Sequence, residues 1–264
     1  MTVTLADFTA EQVTLLGKTR TCYRRGEGPA VVIMAEIPGI TPLVLNFADR
    51  VAARGLTAVL PVLFGTPGKA PSVGYALNSL ARACISREFS ILATGKASPI
   101  TAWLRALAAR EHDRCGGPGV GAVGMCLTGG FALAMMVDEA VVAPVLSQPS
   151  LPAPFGARRQ GDLGVSAQDL AVIKSRVADG ICVLGLRFTE DPMVRAARFA
   201  TLRRELGDGF IGVEIDSSAT NPWGHRRQAH SVLTEDLQDQ PGTPTREALD
   251  QVLEFFTARL LPEG

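Results

Sequence analysis

The chain has 264 residues, 26 basic and 26 acidic, so its formal net charge is zero. That balance leaves no electrostatic footprint for nucleic acid or an anionic membrane surface. Hydrophobic residues make up 47%, ample for a packed core and far from a disordered composition, and the length suits one large domain.

The opening MTVTLADFTAEQVTLL has no basic stretch leading into an apolar one, so no signal peptide is expected. No run approaches the roughly 18 to 20 apolar residues of a membrane span. Five cysteines, Cys22, Cys84, Cys115, Cys126 and Cys182, are scattered without C-x-x-C spacing, and the three histidines are not clustered. No metal site is therefore expected. A cytoplasmic protein with free thiols is the starting expectation.

The segment Val13 to Arg24, interrupted by Gly17, predicts an early hairpin. Val31 to Ala35 is a short apolar run of the kind buried on both faces of a parallel sheet. Helical periodicity from Leu43 to Arg54, stopped by Gly55, and a second apolar run from Thr57 to Val62 complete a βαβ unit. Residues 64–98 are rich in Gly, Pro and Ser and predict an insertion over the sheet edge, with a short helix near Tyr75 to Cys84. A helix over Pro99 to His112 follows, with proline in its first turn.

Beyond it the pattern alternates without a break. Strands are expected at Val120 to Gly124, Ala140 to Val145, Ile181 to Leu186 and Ile211 to Ile215. Helices are expected at Leu127 to Val137, Ser166 to Ala178, Met193 to Leu206 and Thr245 to Leu260. The expected architecture is a single three-layer αβα domain over residues 1–264, built on a mostly parallel, doubly wound sheet.

In such a sheet the reactive groups gather at the carboxyl ends of the strands. Three of these ends carry suitable residues: Cys126 in Gly124-Met125-Cys126-Leu127-Thr128-Gly129-Gly130, Asp191 in Thr189-Glu190-Asp191-Pro192, and a last loop with His225 and His230. The order nucleophile, acid, histidine and the strand–turn–helix setting match the nucleophile elbow of α/β-hydrolases, with cysteine in place of serine. The N–H after the nucleophile then faces a developing oxyanion. A thiol with a free pKa of about 8.5 needs a base and a positive local field to react at neutral pH.

Each residue also has a plainer reading. Cys126 alone is a packing cysteine, as Cys22, Cys84, Cys115 and Cys182 are taken to be. Asp191 alone is a helix cap. His225, between Gly224 and two arginines, reads as a solvated loop residue, so His230, leading into Ser231-Val232-Leu233, is the favoured histidine. His112 reads as a helix C-terminal dipole partner. Glu36 directly after a buried strand is costly unless paired, either functionally or with an arginine at the sheet edge. Arg82 and Arg87 could clamp a substrate carboxylate from the insertion or lie on a solvated helix face.

From about Val31 to Leu261 the sequence resembles the dienelactone hydrolase family of α/β-hydrolases. The anchors are Ala35-Glu36-Ile37-Pro38-Gly39, Gly124-Met125-Cys126-Leu127, Glu190-Asp191-Pro192-Met193-Val194 and Ala229-His230-Ser231. The resemblance implies a Cys126–His230–Asp191 triad and an oxyanion hole from the Ile37 and Leu127 N–H groups. It further implies that Glu36 holds the resting thiol. Small esters or lactones would be cleaved through an acyl-cysteine, without metal or organic cofactor. Thr128 stands where the family usually has glycine, which is expected to set the helix farther from the strand or change the turn, and Ala229 stands where Gly-His is usual. The alternative expectation is a non-hydrolytic protein of the same fold that binds a ligand or senses oxidants through Cys126. The sequence leaves monomer and homodimer equally open.

Overall fold

The computed structural model describes residues 3–72, 74–76, 79, 98–151 and 160–262. The first strand, β1 (Thr9–Leu15), turns back through Leu16 and Gly17, both with positive φ, into β2 (Lys18–Arg25). Two left-handed residues are what a two-residue hairpin between right-twisted strands requires, and glycine supplies the second without strain. Leu15 pairs with Lys18 across the turn.

Next come β3 (Ala30–Met34), α1 (Pro42–Ala52), β4 (Thr57–Pro61), α2 (Pro99–Cys115), β5 (Val120–Met125), a single 3₁₀ turn (Cys126–Thr128) and α3 (Gly129–Met135). The chain ends with β6 (Val141–Ser147), α4 (Ala167–Ala178), β7 (Val183–Phe188), α5 (Ala196–Leu206), β8 (Phe210–Ile215) and α6 (Pro244–Leu260). The eight strands form one sheet in the order β1-β2-β4-β3-β5-β6-β7-β8. β1 and β2 are antiparallel additions at one edge, and the other pairings, from β4 to β8, are parallel.

Alternation along the strands divides the core into two layers. Ala30, Val32 and Met34 pack with Trp103, Leu104, Phe131, Ile173 and Phe199, so α2 to α5 cover one face. Val31 and Ile33 pack with Val44, Phe47, Leu249 and Phe256, so α1 and α6 cover the other. β3, β4 and β5 are buried throughout, the reason they read as unbroken apolar runs. The result is the expected three-layer α/β-hydrolase architecture.

Element boundaries differ from expectation where polar groups intervene. The helix expected from Leu127 is first a 3₁₀ turn, and the one expected from Met193 begins at Ala196. In the second case residues 191–195 are occupied by a turn in which Asp191 Oδ1 accepts the Met193 N–H. Most of the insertion expected over 64–98 lies outside the described residues, and with it Arg82, Arg87, Cys84 and most of the short helix near Tyr75.

Candidate active site

β5 delivers Cys126 at φ +55, a left-handed conformation that costs a side-chain-bearing residue free energy and persists only where its surroundings impose it. Thr128 imposes it. Its fully buried Oγ1 accepts the Met125 N–H at 2.8 Å and donates to the Met34 carbonyl oxygen at 2.8 Å, tying the end of β5 to the end of β3. The turn therefore differs from a glycine elbow, and the threonine is a strut. Close approach is carried by other glycines. A Cβ on Gly124 would lie 2.0 Å from the Thr128 carbonyl oxygen, and one on Gly129 would lie 2.6 Å from Pro149 Cα.

Asp191 follows β7 and is buried. Its Oδ1 is held by the Met193 N–H at 2.8 Å, and its Oδ2 meets His230 Nδ1 at 2.7 Å. The carboxylate is thus an oriented partner of the imidazole and not the cap of α5, whose N-cap residue is Arg195. A carboxylate on Nδ1 fixes the proton there and leaves Nε2 as the acceptor in the neutral ring. Nε2 is buried without a hydrogen bond of full geometry, and its neighbour is Cys126. Burial alone would lower the His230 pKa. The Cys126 charge and hydrogen bonding, together with Asp191, outweigh burial and raise it well above the ordinary imidazole value.

The loop carrying His230 is pinned by Asp236, which sequence reasoning passed over. One oxygen, Oδ2, accepts both the His230 N–H at 2.8 Å and the Ser231 N–H at 3.1 Å, while Arg226 binds the other. Burial would raise the Asp236 pKa, but these donors lower it. A depressed carboxylate pKa stabilises fully above about pH 4, and the contribution is lost as pH falls through the folded value. Asp236→Ala is expected to lower stability by about 2–3 kcal/mol, measured by urea denaturation near neutral pH.

His225 is corrected by the structure. It is buried, packed edge-on against Phe188 with ring centroids 5.1 Å apart. Asn221 turns it inward by accepting its N–H at 2.9 Å and donating to its carbonyl oxygen at 2.9 Å. His112 sits at the end of α2, with Nε2 at 3.1 Å from the Gly117 carbonyl oxygen.

Glu36 is buried at the end of β3, and both its oxygens are engaged. Oε2 accepts from Ser231 Oγ at 2.6 Å and Gln148 Nε2 at 3.2 Å, and Oε1 accepts from Thr234 Oγ1. Among the described residues its partners are thus neither an arginine nor the thiol. The sulfur instead meets Ser150 Oγ at 3.2 Å. Glu36 braces the histidine loop against the turn after β6, and the contact expected between it and the Cys126 thiol is replaced by one between the thiol and Ser150 Oγ.

A cavity of about 360 Å³ opens beside these residues, lined among others by Glu36, Ile37, Thr41, Ser231 and Glu235. Ile37 is therefore at the cavity wall, and Leu127 follows Cys126 in the 3₁₀ turn. Among the described lining residues the charged groups are carboxylates. A larger cleft of about 1000 Å³ lies at the opposite end of the sheet, near the start of β3 and β4. Its arginines are each paired with a carboxylate, Arg24 with Glu111, Arg25 with Asp49 and Arg114 with Glu11.

Among the described residues, no group of three His, Cys, Asp or Glu side chains could hold a metal ion, and no helix is long and apolar enough to cross a membrane. Residues 19–257 match the sequence profile of the Dienelactone hydrolase family. The chain belongs to the dienelactone hydrolase family. It is accordingly placed among hydrolases of the α/β-hydrolase fold. A putative dienelactone hydrolase from Klebsiella pneumoniae subsp. pneumoniae MGH 78578 is similar in structure (TM-score 0.61, 16% identity, 95% of this chain and 98% of that one). So is a dienelactone hydrolase from Anabaena variabilis ATCC 29413 (TM-score 0.61, 17% identity, 96% and 98%). A cold-adapted esterase from an Arctic intertidal metagenomic library is also similar (TM-score 0.57, 13% identity, 95% and 92%). At such identities the likeness is one of fold. Among curated proteins none matches the chain.

Proposed function

We propose that this protein hydrolyses a small ester or lactone through an acyl-cysteine intermediate. The observation that carries the reading is the convergence, from three strand ends, of a strained Cys126, His230 and a buried Asp191 bonded to Nδ1 at 2.7 Å. His230 takes the thiol proton on Nε2, and Asp191 stabilises the imidazolium. The thiolate attacks the carbonyl carbon, and the Ile37 and Leu127 N–H groups receive the oxyanion. The alkoxide leaves with the proton from His230. Water, deprotonated in turn by His230, cleaves the thioester and frees the acid and the thiol. Every proton taken is returned, and no organic cofactor or metal is required by the scheme.

The carboxylates Glu36 and Glu235 on the described cavity wall favour a neutral acyl or alcohol group there. The experiment is a panel of activated neutral esters and lactones, quenched in acid and mapped by peptide mass. An acyl adduct on the Cys126 peptide is expected. Turnover of these esters with no adduct there overturns the reading, and neither turnover nor adduct favours the non-hydrolytic alternative.

A further inference from the structure

The resting sulfur has a polar neighbour that the reaction scheme above does not use. Cys126 Sγ lies 3.2 Å from Ser150 Oγ, and Ser150 is 2% exposed. The hydroxyl is not there by loose rotation of a surface side chain. Ser150 donates its N–H to the Cys126 carbonyl oxygen at 2.9 Å, so backbone and side chain both address the same residue.

The turn that brings it there is held at a cost. Gln148 adopts φ +34, a conformation disfavoured for a residue with a side chain, and its N–H is bonded to the Leu186 carbonyl oxygen at 2.7 Å. Next to it, Arg198 of α5 is 3% exposed and donates to the Pro149 carbonyl oxygen at 3.0 Å. Burial pushes its pKa down to about 10, which still leaves the guanidinium charged at neutral pH. A strained backbone and a buried cation are both expensive, and both are spent on placing residues 148–150.

We propose that Ser150 is the hydrogen-bond donor to the Cys126 thiolate, stabilising the charged sulfur and fixing its direction beside His230. This rests on Cys126 being the nucleophile. When the S–H proton moves to His230 Nε2, the Ser150 O–H turns its hydrogen to the sulfur. The hydroxyl neither gains nor loses a proton. Among the described residues, the other ionisable groups around the thiol are His230 with Asp191 from the loops after β8 and β7, Glu36 from the end of β3, and Arg198 behind the turn. Glu36 has both oxygens engaged elsewhere. Among the described residues Ser150 is the hydroxyl directly on the sulfur, and a hydroxyl can stabilise an anion there without competing with the base.

The test is the pH dependence of Cys126 alkylation by iodoacetamide, followed on its own peptide by mass, in wild type and Ser150→Ala. The midpoint is expected to move up by about one pH unit, with alkylation about tenfold slower below the wild-type midpoint. The acid limb of kcat/KM should shift with it while KM stays within about twofold. Ser150→Thr and Ser150→Val, matched in volume and differing in the hydroxyl, separate hydrogen bonding from packing. Thr should retain the wild-type midpoint and Val should behave as Ala does. Coincident profiles for wild type and Ala, or for Thr and Val, overturn the proposal. Alkylation needs no turnover. Failure of the hydrolase reading would show as absent ester cleavage by wild type, independently of where the alkylation midpoints fall.

Discussion

Cys126→Ala is expected to lose roughly 10⁴-fold or more in kcat/KM against activated esters, with thermal stability within a few degrees of wild type. The size follows from what is removed. The proposed acyl-enzyme route needs a nucleophile that can be acylated, and a methyl group offers none. The remaining donors, Ile37 and Leu127, would only bind the carbonyl oxygen for direct attack by water. The fold should tolerate the change because Thr128, not the cysteine side chain, ties β5 to β3, and alanine fits the same backbone with one atom fewer. A variant retaining more than a tenth of wild-type turnover would exclude Cys126 as the nucleophile.

The strands and helices were legible because each buried strand is a short apolar run bounded by glycine, proline or a polar turn. Val31 to Ala35 and Thr57 to Val62 differ from β3 and β4 by one residue at their ends. The order of strands in the sheet is not local information, and the alternation of elements predicts only a mostly parallel, doubly wound sheet. The candidate site residues were legible by position too, since each follows a strand in the order nucleophile, acid, histidine. What could not be read was how they are held. Glu36 finds Gln148 112 residues away and Ser231 195 residues away, so no local pattern announces either contact.

His225 shows the converse error. Gly224 and the arginines after it suggested solvent, but Asn221, four residues earlier, turns the histidine onto Phe188. Thr128 likewise looked like a steric intrusion when judged by size. Its hydroxyl has partners at the ends of two adjacent strands, which only the parallel pairing of β3 with β5 brings together. Ser150 and Asp236 were missed because a serine in a proline-containing loop and an aspartate in a polar one carry no spacing signal. Their importance lies in distance alone.

Asp191→Asn is expected to lower kcat/KM by roughly 10³- to 10⁴-fold while leaving the protein folded. Asparagine keeps an oxygen for the Met193 N–H, so the turn before α5 survives. What it loses is charge and the power to fix the ring. A carboxylate accepts the Nδ1 proton and nothing else, whereas an amide can also present its N–H₂ to Nδ1, which moves the proton to Nε2 and blocks the base. The Asp191 contribution to the raised His230 pKa disappears as well. A raised histidine pKa adds stability that is full below about pH 6.5 and is lost as pH rises through the folded value. Removing Asp191 therefore takes stability mainly from neutral and acidic solution and shrinks the pH range over which imidazolium and thiolate coexist. The measurements are a pH–rate profile and urea denaturation at two pH values. A loss below tenfold in kcat/KM, with an unchanged profile, would show that Asp191 does not orient the base.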